Sequence, residues 1–295
     1  MPRSARRTGY LLLFTLPALA VFVLFLLYPL VRSFIGSFMD TDGPLGDRFV
    51  GFDNYVRLFT DPYQSAHFWK ALGNNVEYFL IHLVVEVPVA LLLAALLTSG
   101  SVRRTGATYR TLLFIPATLS VVIVGFLWRL IINPLWGIVD APLLGNETTA
   151  LPTIALMSVW QYVGIPMIFL YAALLAVPAD LLESSRLDGA SRWSQFWRIK
   201  FPLIAPQFGL IAILTYIWTF NGFDLVFALN GASPGPNYST DILGTLFYRT
   251  FFGESGHLSD MDLGATVASV IFFIILAATA LYFLVVQRRL RSYEL

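Results

Sequence analysis

Cysteine is absent from the 295 residues, and charge is scarce, with Asp, Glu, Lys and Arg making up 13% of the chain. The first absence removes disulfides, thiolate nucleophiles and cysteine-bound metals together. The second leaves about half the charge of an ordinary soluble domain, too little to clothe a globule of this size in polar surface. Histidine occurs three times, at His67, His82 and His257. These are far apart and form no His-x-x-x-His pair, so a zinc-type centre lacks its ligands. No Gly-x-Ser-x-Gly phrase provides a nucleophile elbow, and no Gly-x-x-x-x-Gly-Lys-Ser/Thr loop provides a phosphate cradle. An intramembrane enzyme therefore has little to work with, no catalytic residue is assigned, and any nucleotide chemistry must come from elsewhere. The net charge of +1 gives no basic field for nucleic acid.

What the chain has is apolar length. Hydrophobic residues make up 57% of it, and mean hydropathy is +0.71. A bilayer-spanning helix needs about 20 such residues. Six runs qualify: Tyr10 to Val31, Val76 to Leu97, Leu112 to Ile132, Ile154 to Val177, Gln207 to Leu229 and Leu263 to Val286. The first resembles a signal peptide at Ala18 and Ala20, but the apolar run continues to Leu30 and reads as an uncleaved span. The expectation is an all-α integral membrane protein: one transmembrane domain over 1–295, with six spans and both termini on one side.

Loop charge orients those spans, because cytoplasmic loops carry excess Lys and Arg. The side of the termini holds Arg3, Arg6, Arg7, Arg103, Arg104, Arg110, Arg186, Arg192, Arg198, Lys200, Arg288, Arg289 and Arg291. The other side holds Arg32, Arg48, Arg57, Lys70 and Arg249. Both termini are expected in the cytoplasm, with the chain in the cell membrane. Arg129, near a span end, can snorkel. Pro88, Pro116 and Pro166 interrupt apolar helices, either as simple kinks or as breaks shaped around a path.

One cytoplasmic segment, about 178–206, is neither span nor ordinary loop. Local rules give a short helix capped by Asp180, a stop at Asp188-Gly189, and a second short helix capped by Ser191 that ends before Pro202. Leu181, Leu182, Leu187, Trp193, Phe196, Trp197 and Ile199 make it amphipathic. Such a hairpin suits docking on another protein or lying among lipid headgroups.

Glu183-Ser184-Ser185-Arg186-Leu187-Asp188-Gly189-Ala190, followed by Phe196, Ile199 and Phe201-Pro202, resembles the EAA loop of ABC importer permeases. Serines replace the two alanines, and Phe201 replaces a leucine. Further phrases resemble the carbohydrate-uptake branch, of the MalF and LacF type and close to glycerol-phosphate permeases. They are Val50-Gly51-Phe52-Asp53-Asn54-Tyr55, Ala71-Leu72-Gly73-Asn74-Asn75, Leu127-Trp128-Arg129, Trp160-Gln161 with Gly164, and Phe220-Asn221-Gly222-Phe223-Asp224.

The resemblance implies a permease subunit for a mono- or oligosaccharide, or alternatively for glycerol phosphate or another small polar solute. It implies a second homologous permease, two ATP-binding subunits that hold ATP and Mg, an extracytoplasmic solute-binding protein and surrounding lipid. This chain itself would bind no cofactor or metal. Glu183, Ser184, Ser185, Leu187, Asp188, Gly189 and Ala190 would then form the ATPase-coupling element.

In the resembled permeases the fifth span lines the path. Thr215, Trp218, Thr219 and Gly222 share roughly one helical face there, beside Asn221 and Asp224. The same spacing also suits a polar packing seam. Tyr162 and Gly164 are further path candidates. His82 and Glu86, four apart, read as a satisfied pair inside the bundle or as a proton relay. The relay, with Asp224, would mark a proton-coupled secondary carrier.

Overall fold

The structure is a computed structural model describing residues 3–41, 47–99, 106–135, 137–138, 141–231, 233–254 and 258–286, with side chains from residue 13 onward. Arg103, Arg104, His257, Arg288, Arg289 and Arg291 lie outside the described residues. Helix dominates. The chain divides into two compact units, residues 1–65 with 247–270 and residues 66–246 with 271–295.

The first unit opens with α1 (Arg3–Phe22) and α2 (Tyr28–Gly36), then a minimal hairpin of β1 (Met39–Asp40) and β2 (Arg48–Phe49), then α3 (Asp53–Thr60). The strands pair antiparallel, Met39 with Phe49 and Asp40 with Arg48. Gly51 enters α3 with φ +61°, a left-handed position that glycine adopts without strain. Asn54 then reaches back, donating to Ser37 O at 3.2 Å and to Met39 O at 2.8 Å. The Asp262 carboxylate accepts from the Thr41 amide and hydroxyl, and Arg57 pairs with Asp260 at 2.6 Å. The Gly-Phe-Asp-Asn-Tyr phrase is thus a folding device that ties loop to helix.

The second unit contains most of α4 (Pro62–Ile81), then α5 (Val87–Leu97), α6 (Gly106–Thr118), α7 (Val121–Ile131), α8 (Ala150–Tyr162) and α9 (Gly164–Leu175). It continues through α10 (Ala179–Leu187), α11 (Arg192–Gln195), α12 (Phe201–Phe220) and α13 (Asp224–Asn230). The helices α14 (Leu243–Phe252) and α15 (Met261–Leu281) are divided between the units. Two cores form here. One gathers Tyr78, Val124, Ile154, Met157, Leu225 and Leu229. In the other, Ala90 and Ala94 of α5 admit Met167, Leu170 and Leu174 of α9 to close range, the small-against-large packing that membrane helices use in place of a hydrophobic drive.

Proline acts differently from the local expectation. Helix continues through Pro29, Pro88 and Pro202, and each time a π turn comes just before: Val23–Leu27, His82–Glu86 and Phe196–Lys200. The residue ahead of each proline bonds five residues back, Tyr28 to Val23 O, Val87 to His82 O and Phe201 to Phe196 O. The widened turn relieves the clash between the proline ring and the preceding turn. The expectation that the second short helix of the hairpin ends before Pro202 is therefore corrected. Helix runs from Arg192 to Phe220 without interruption.

Two expected spans are broken instead. The third divides into α6 and α7, which meet at 95° where Ser120 turns extended. The fourth divides into α8 and α9, bent by 48° at Val163. Pro166, in the first turn of α9, has no N–H to continue the ladder across that bend. Among the described residues four helices, Leu13–Gly36, Pro62–Leu97, Arg192–Asn230 and Met261–Val285, are long and apolar enough to cross a membrane. The count reaches six if each bent pair is one span.

Candidate functional site

The hairpin of α10 and α11 is built by local rules. Pro178, extended at ψ 131°, is the N-cap residue of α10 and makes no side-chain cap. Asp180 lies inside the first turn, where its charge favours the helix dipole, so its reading as the cap is corrected. At the other end Gly189 has φ +82°. Its amide donates to Arg186 O at 3.0 Å, and the Ala190 amide donates to Ser185 O at 2.9 Å. These are the paired bonds of a Schellman ending. Ser191 caps α11 as expected, accepting from the Ser194 amide at 3.2 Å.

One residue that the sequence pattern did not single out locks the two helices together. Gln195 is buried, and its Nε2 donates to Leu182 O at 3.0 Å and to Ser185 Oγ at 2.8 Å. The Ser185 hydroxyl in turn donates to Leu182 O at 3.0 Å. The serine standing where the resembled motif has alanine is therefore one end of an internal clamp. Around it Glu183, Ser184, Leu187, Asp188 and Gly189 are exposed, and Ala190 is half-buried. Leu187 at 90% and Trp193 at 73% are exposed enough to leave a bare apolar tip.

From this hairpin an aromatic row climbs the continuous helix: Trp193 to Trp197 at 5.6 Å, Trp197 to Phe201 at 5.1 Å, and Phe201 to Phe208 at 5.6 Å between ring centroids. The helix from Arg192 to Phe220 is about 43 Å long at the α-helical rise per residue. Its far end lines two cavities, of about 400 and 220 Å³. Tyr162, Trp218 and Asn221 border both. Tyr162 and Trp218 meet edge to face, with centroids 4.5 Å apart. Glu86, Pro166 and Thr215 line the larger cavity, and Gly222 and Asp224 the smaller.

Of the expected face on α12, Thr215 and Trp218 line the larger cavity and Gly222 the smaller, while Thr219 lines neither. The larger cavity takes Ile211, Leu214, Thr215, Trp218 and Asn221. Thr219 falls off that stripe. It is fully buried, and its hydroxyl donates to Thr215 O at 2.8 Å and Tyr216 O at 3.1 Å. Its carbonyl accepts from Asn75 Nδ2 at 3.0 Å, while Asn75 Oδ1 accepts from the Leu243 amide at 2.8 Å. Thr219 and Asn75 form a packing seam. Gly164 also lines neither cavity: a Cβ there would fall 2.5 Å from Leu113 O, so this glycine allows α9 to cross the backbone of α6.

His82 and Glu86 do not pair. They bracket a π turn, which rotates the second away from the first. The His82 ring nitrogens lie 2.8 Å from Tyr78 O and 3.0 Å from Ser158 Oγ. Glu86 instead borders the larger cavity. Among the described residues no group of three or more His, Asp and Glu is placed to hold a metal ion.

A family model described as the binding-protein-dependent transport system inner membrane component matches residues 86–292. A probable ABC transporter permease protein, YurN of Bacillus subtilis (strain 168), is 31% identical over 90% of this chain and 91% of its own length. The lactose transport system permease protein LacF of Rhizobium radiobacter is 30% identical over 94% of both chains. Among solved structures, a bacterial ABC transporter involved in import of the acidic polysaccharide alginate superposes with a TM-score of 0.79. That match is 23% identical and covers 96% of this chain and 98% of the other.

Proposed function

The chain belongs to the family of inner-membrane components of binding-protein-dependent transport systems, and from that premise we propose that it is a sugar permease subunit working beside a second permease, two ATP-binding subunits and an extracytoplasmic solute-binding protein. Each bent helix pair counts as one span, which gives six spans with cytoplasmic termini. The charge tally supports this orientation, since Arg110, Arg186, Arg192, Arg198 and Lys200 then share the cytoplasmic side.

The observation that carries the reading is the hairpin. A rigid, internally clamped element that exposes Leu187, Glu183, Ser184 and Asp188 at a glycine-terminated tip is shaped to seat in a cleft on an ATPase. Coupling then has a physical route. ATP closes the ATPases, the hairpin moves with them, and the unbroken helix from Arg192 to Phe220 carries that displacement to Trp218 and Asn221 at the cavities. Alternating access follows as rocking of packed helices rather than as a local change. At the cavities Trp218 and Tyr162 offer ring faces to a pyranose, and Thr215, Asn221 and Glu86 offer hydrogen-bonding groups. The relay of a secondary carrier gains no support, because both His82 ring nitrogens are engaged away from Glu86.

Purification of the tagged chain in mild detergent, with mass spectrometry of what accompanies it, tests the reading. A second permease and an ATPase in stoichiometric amounts are expected. A folded chain that binds lipid but repeatedly arrives without an ATPase contradicts it.

A further inference from the structure

The two cavities share more than an aromatic divider: each ends at a carboxyl group. Glu86, 3% exposed, faces the larger, and Asp224 faces the smaller from the first turn of α13. Among the described residues neither cavity has a Lys, Arg or His in its wall. Among the described residues no side chain or backbone group hydrogen-bonds the Glu86 carboxyl. A carboxyl this deep in a membrane helix is costly and is kept where something completes it.

We propose that the path through this chain admits sugars and other polyhydroxyl solutes that carry no negative charge, and excludes phosphate esters and uronates. The proposal rests on the permease reading and narrows its cargo. Sugar hydroxyls donate to Glu86 while the ring lies against Trp218 and Tyr162, so a neutral solute supplies what the carboxyl lacks. An anion finds the opposite. Phosphates and carboxylates are held by Arg or Lys, or by the free amides of a helix N-terminus. The walls provide no such cation, and the first turn of α13, which opens on the smaller cavity, already carries the Asp224 carboxylate. An anion also meets the Asp224 carboxylate, and like charges in a partly desolvated space repel more strongly than in water, so the acidic wall excludes as well as binds.

The absence of cysteine from the chain permits a test that does not require the cargo to be known. Asn221→Cys, and separately Thr215→Cys, are placed in the assembled importer in lipid nanodiscs. Each is modified with the cationic 2-(trimethylammonium)ethyl methanethiosulfonate or the anionic 2-sulfonatoethyl methanethiosulfonate, and intact mass of this chain is followed over time. Rates are divided by those of each reagent with free 2-mercaptoethanol. Any effect of the carboxyls on thiol ionisation cancels in the ratio, since both reagents attack the same thiolate. The cationic reagent is expected to react about tenfold faster, and Glu86→Gln with Asp224→Asn to bring the ratio close to one. A ratio near one in the parent, a faster anionic reagent, a ratio unmoved by the two substitutions, or no reaction at either position overturns the proposal. ATPase activity of the importer with the unsubstituted chain, in nanodiscs of the same lipid, separates the two failures. Its absence removes the importer reading, whereas normal activity with a ratio near one removes only the exclusion of anions.

Discussion

The hairpin of α10 and α11 and the cavities at the far end of α12 sit on one continuous helix yet are made in opposite ways. The hairpin is assembled from neighbours. Ser191, Gly189, Ser185 and Gln195 bond within a stretch of fewer than twenty residues, and its apolar tip is bare. The cavities draw on three distant segments, around Glu86, Tyr162 and Trp218, and their walls are closed by aromatic and aliphatic packing. A locally specified element keeps its shape while its surroundings move, which suits a part that transmits force. A surface made by three separate helices changes whenever those helices shift, which suits a part that must open and close.

That contrast can be broken most sharply at Gly189. At φ +82°, with nothing within 4 Å of where a Cβ would sit, a β-branched side chain has room but not the backbone freedom. Gly189→Val is expected to leave the chain in the membrane and to abolish transport-coupled ATP hydrolysis. Normal substrate-stimulated hydrolysis in that variant would remove the hairpin from coupling.

Gly164→Ala comes next. Its Cβ would meet Leu113 O at 2.5 Å, so α6 and α9 must separate, at about 1–3 kcal/mol for overpacking. Lower thermal stability with an unchanged apparent KM in whatever complex survives is the expected pattern. A raised KM at unchanged stability would return Gly164 to the path.

Trp218→Ala removes the ring shared by both cavities. Apparent KM for the transported sugar should rise about tenfold, equivalent to roughly 1.4 kcal/mol, with little change in thermal stability. An unchanged KM would take α12 out of the substrate path.

The smallest effect is expected at the clamp. Gln195→Leu leaves the Ser185 hydroxyl without its donor and should slow coupled transport a few-fold, in line with about 1 kcal/mol for one such bond. Ser185→Ala in the same background should add little, because the two residues act as one pair. Fully additive losses would show that the clamp is not a unit.

The difference in construction also explains what was legible in the sequence. The Asp-Gly turn and the Ser191 cap follow from rules that act within a few residues, and both are found. The helix end before Pro202 failed for a physical reason: the π turn just ahead of it removes the clash that would otherwise end the helix there. The bend at Val163 was signalled by Pro166 but could not be given an angle without its neighbours. On α12, spacing selected Thr215, Trp218 and Gly222, which line the cavities, together with Thr219, which does not, because a threonine can satisfy its hydroxyl on its own helix and a neighbour such as Asn75 is invisible to periodicity. The pairing of His82 with Glu86 failed in the same way, since the count of four assumes 3.6 residues per turn where the helix is wider. Gln195 carried no signal beyond being a polar residue in an amphipathic stretch.

The most direct measurement is photocrosslinking from the tip of the hairpin. Leu187→Cys, the single thiol of an otherwise cysteine-free chain, is labelled with benzophenone maleimide in the assembled complex and irradiated. The adducts are then identified by mass spectrometry. A hairpin seated on its engine gives a crosslink to the ATP-binding subunit that shifts in yield when ATP is trapped. Adducts confined to lipid, in a complex that still contains the ATPase, would contradict the coupling role.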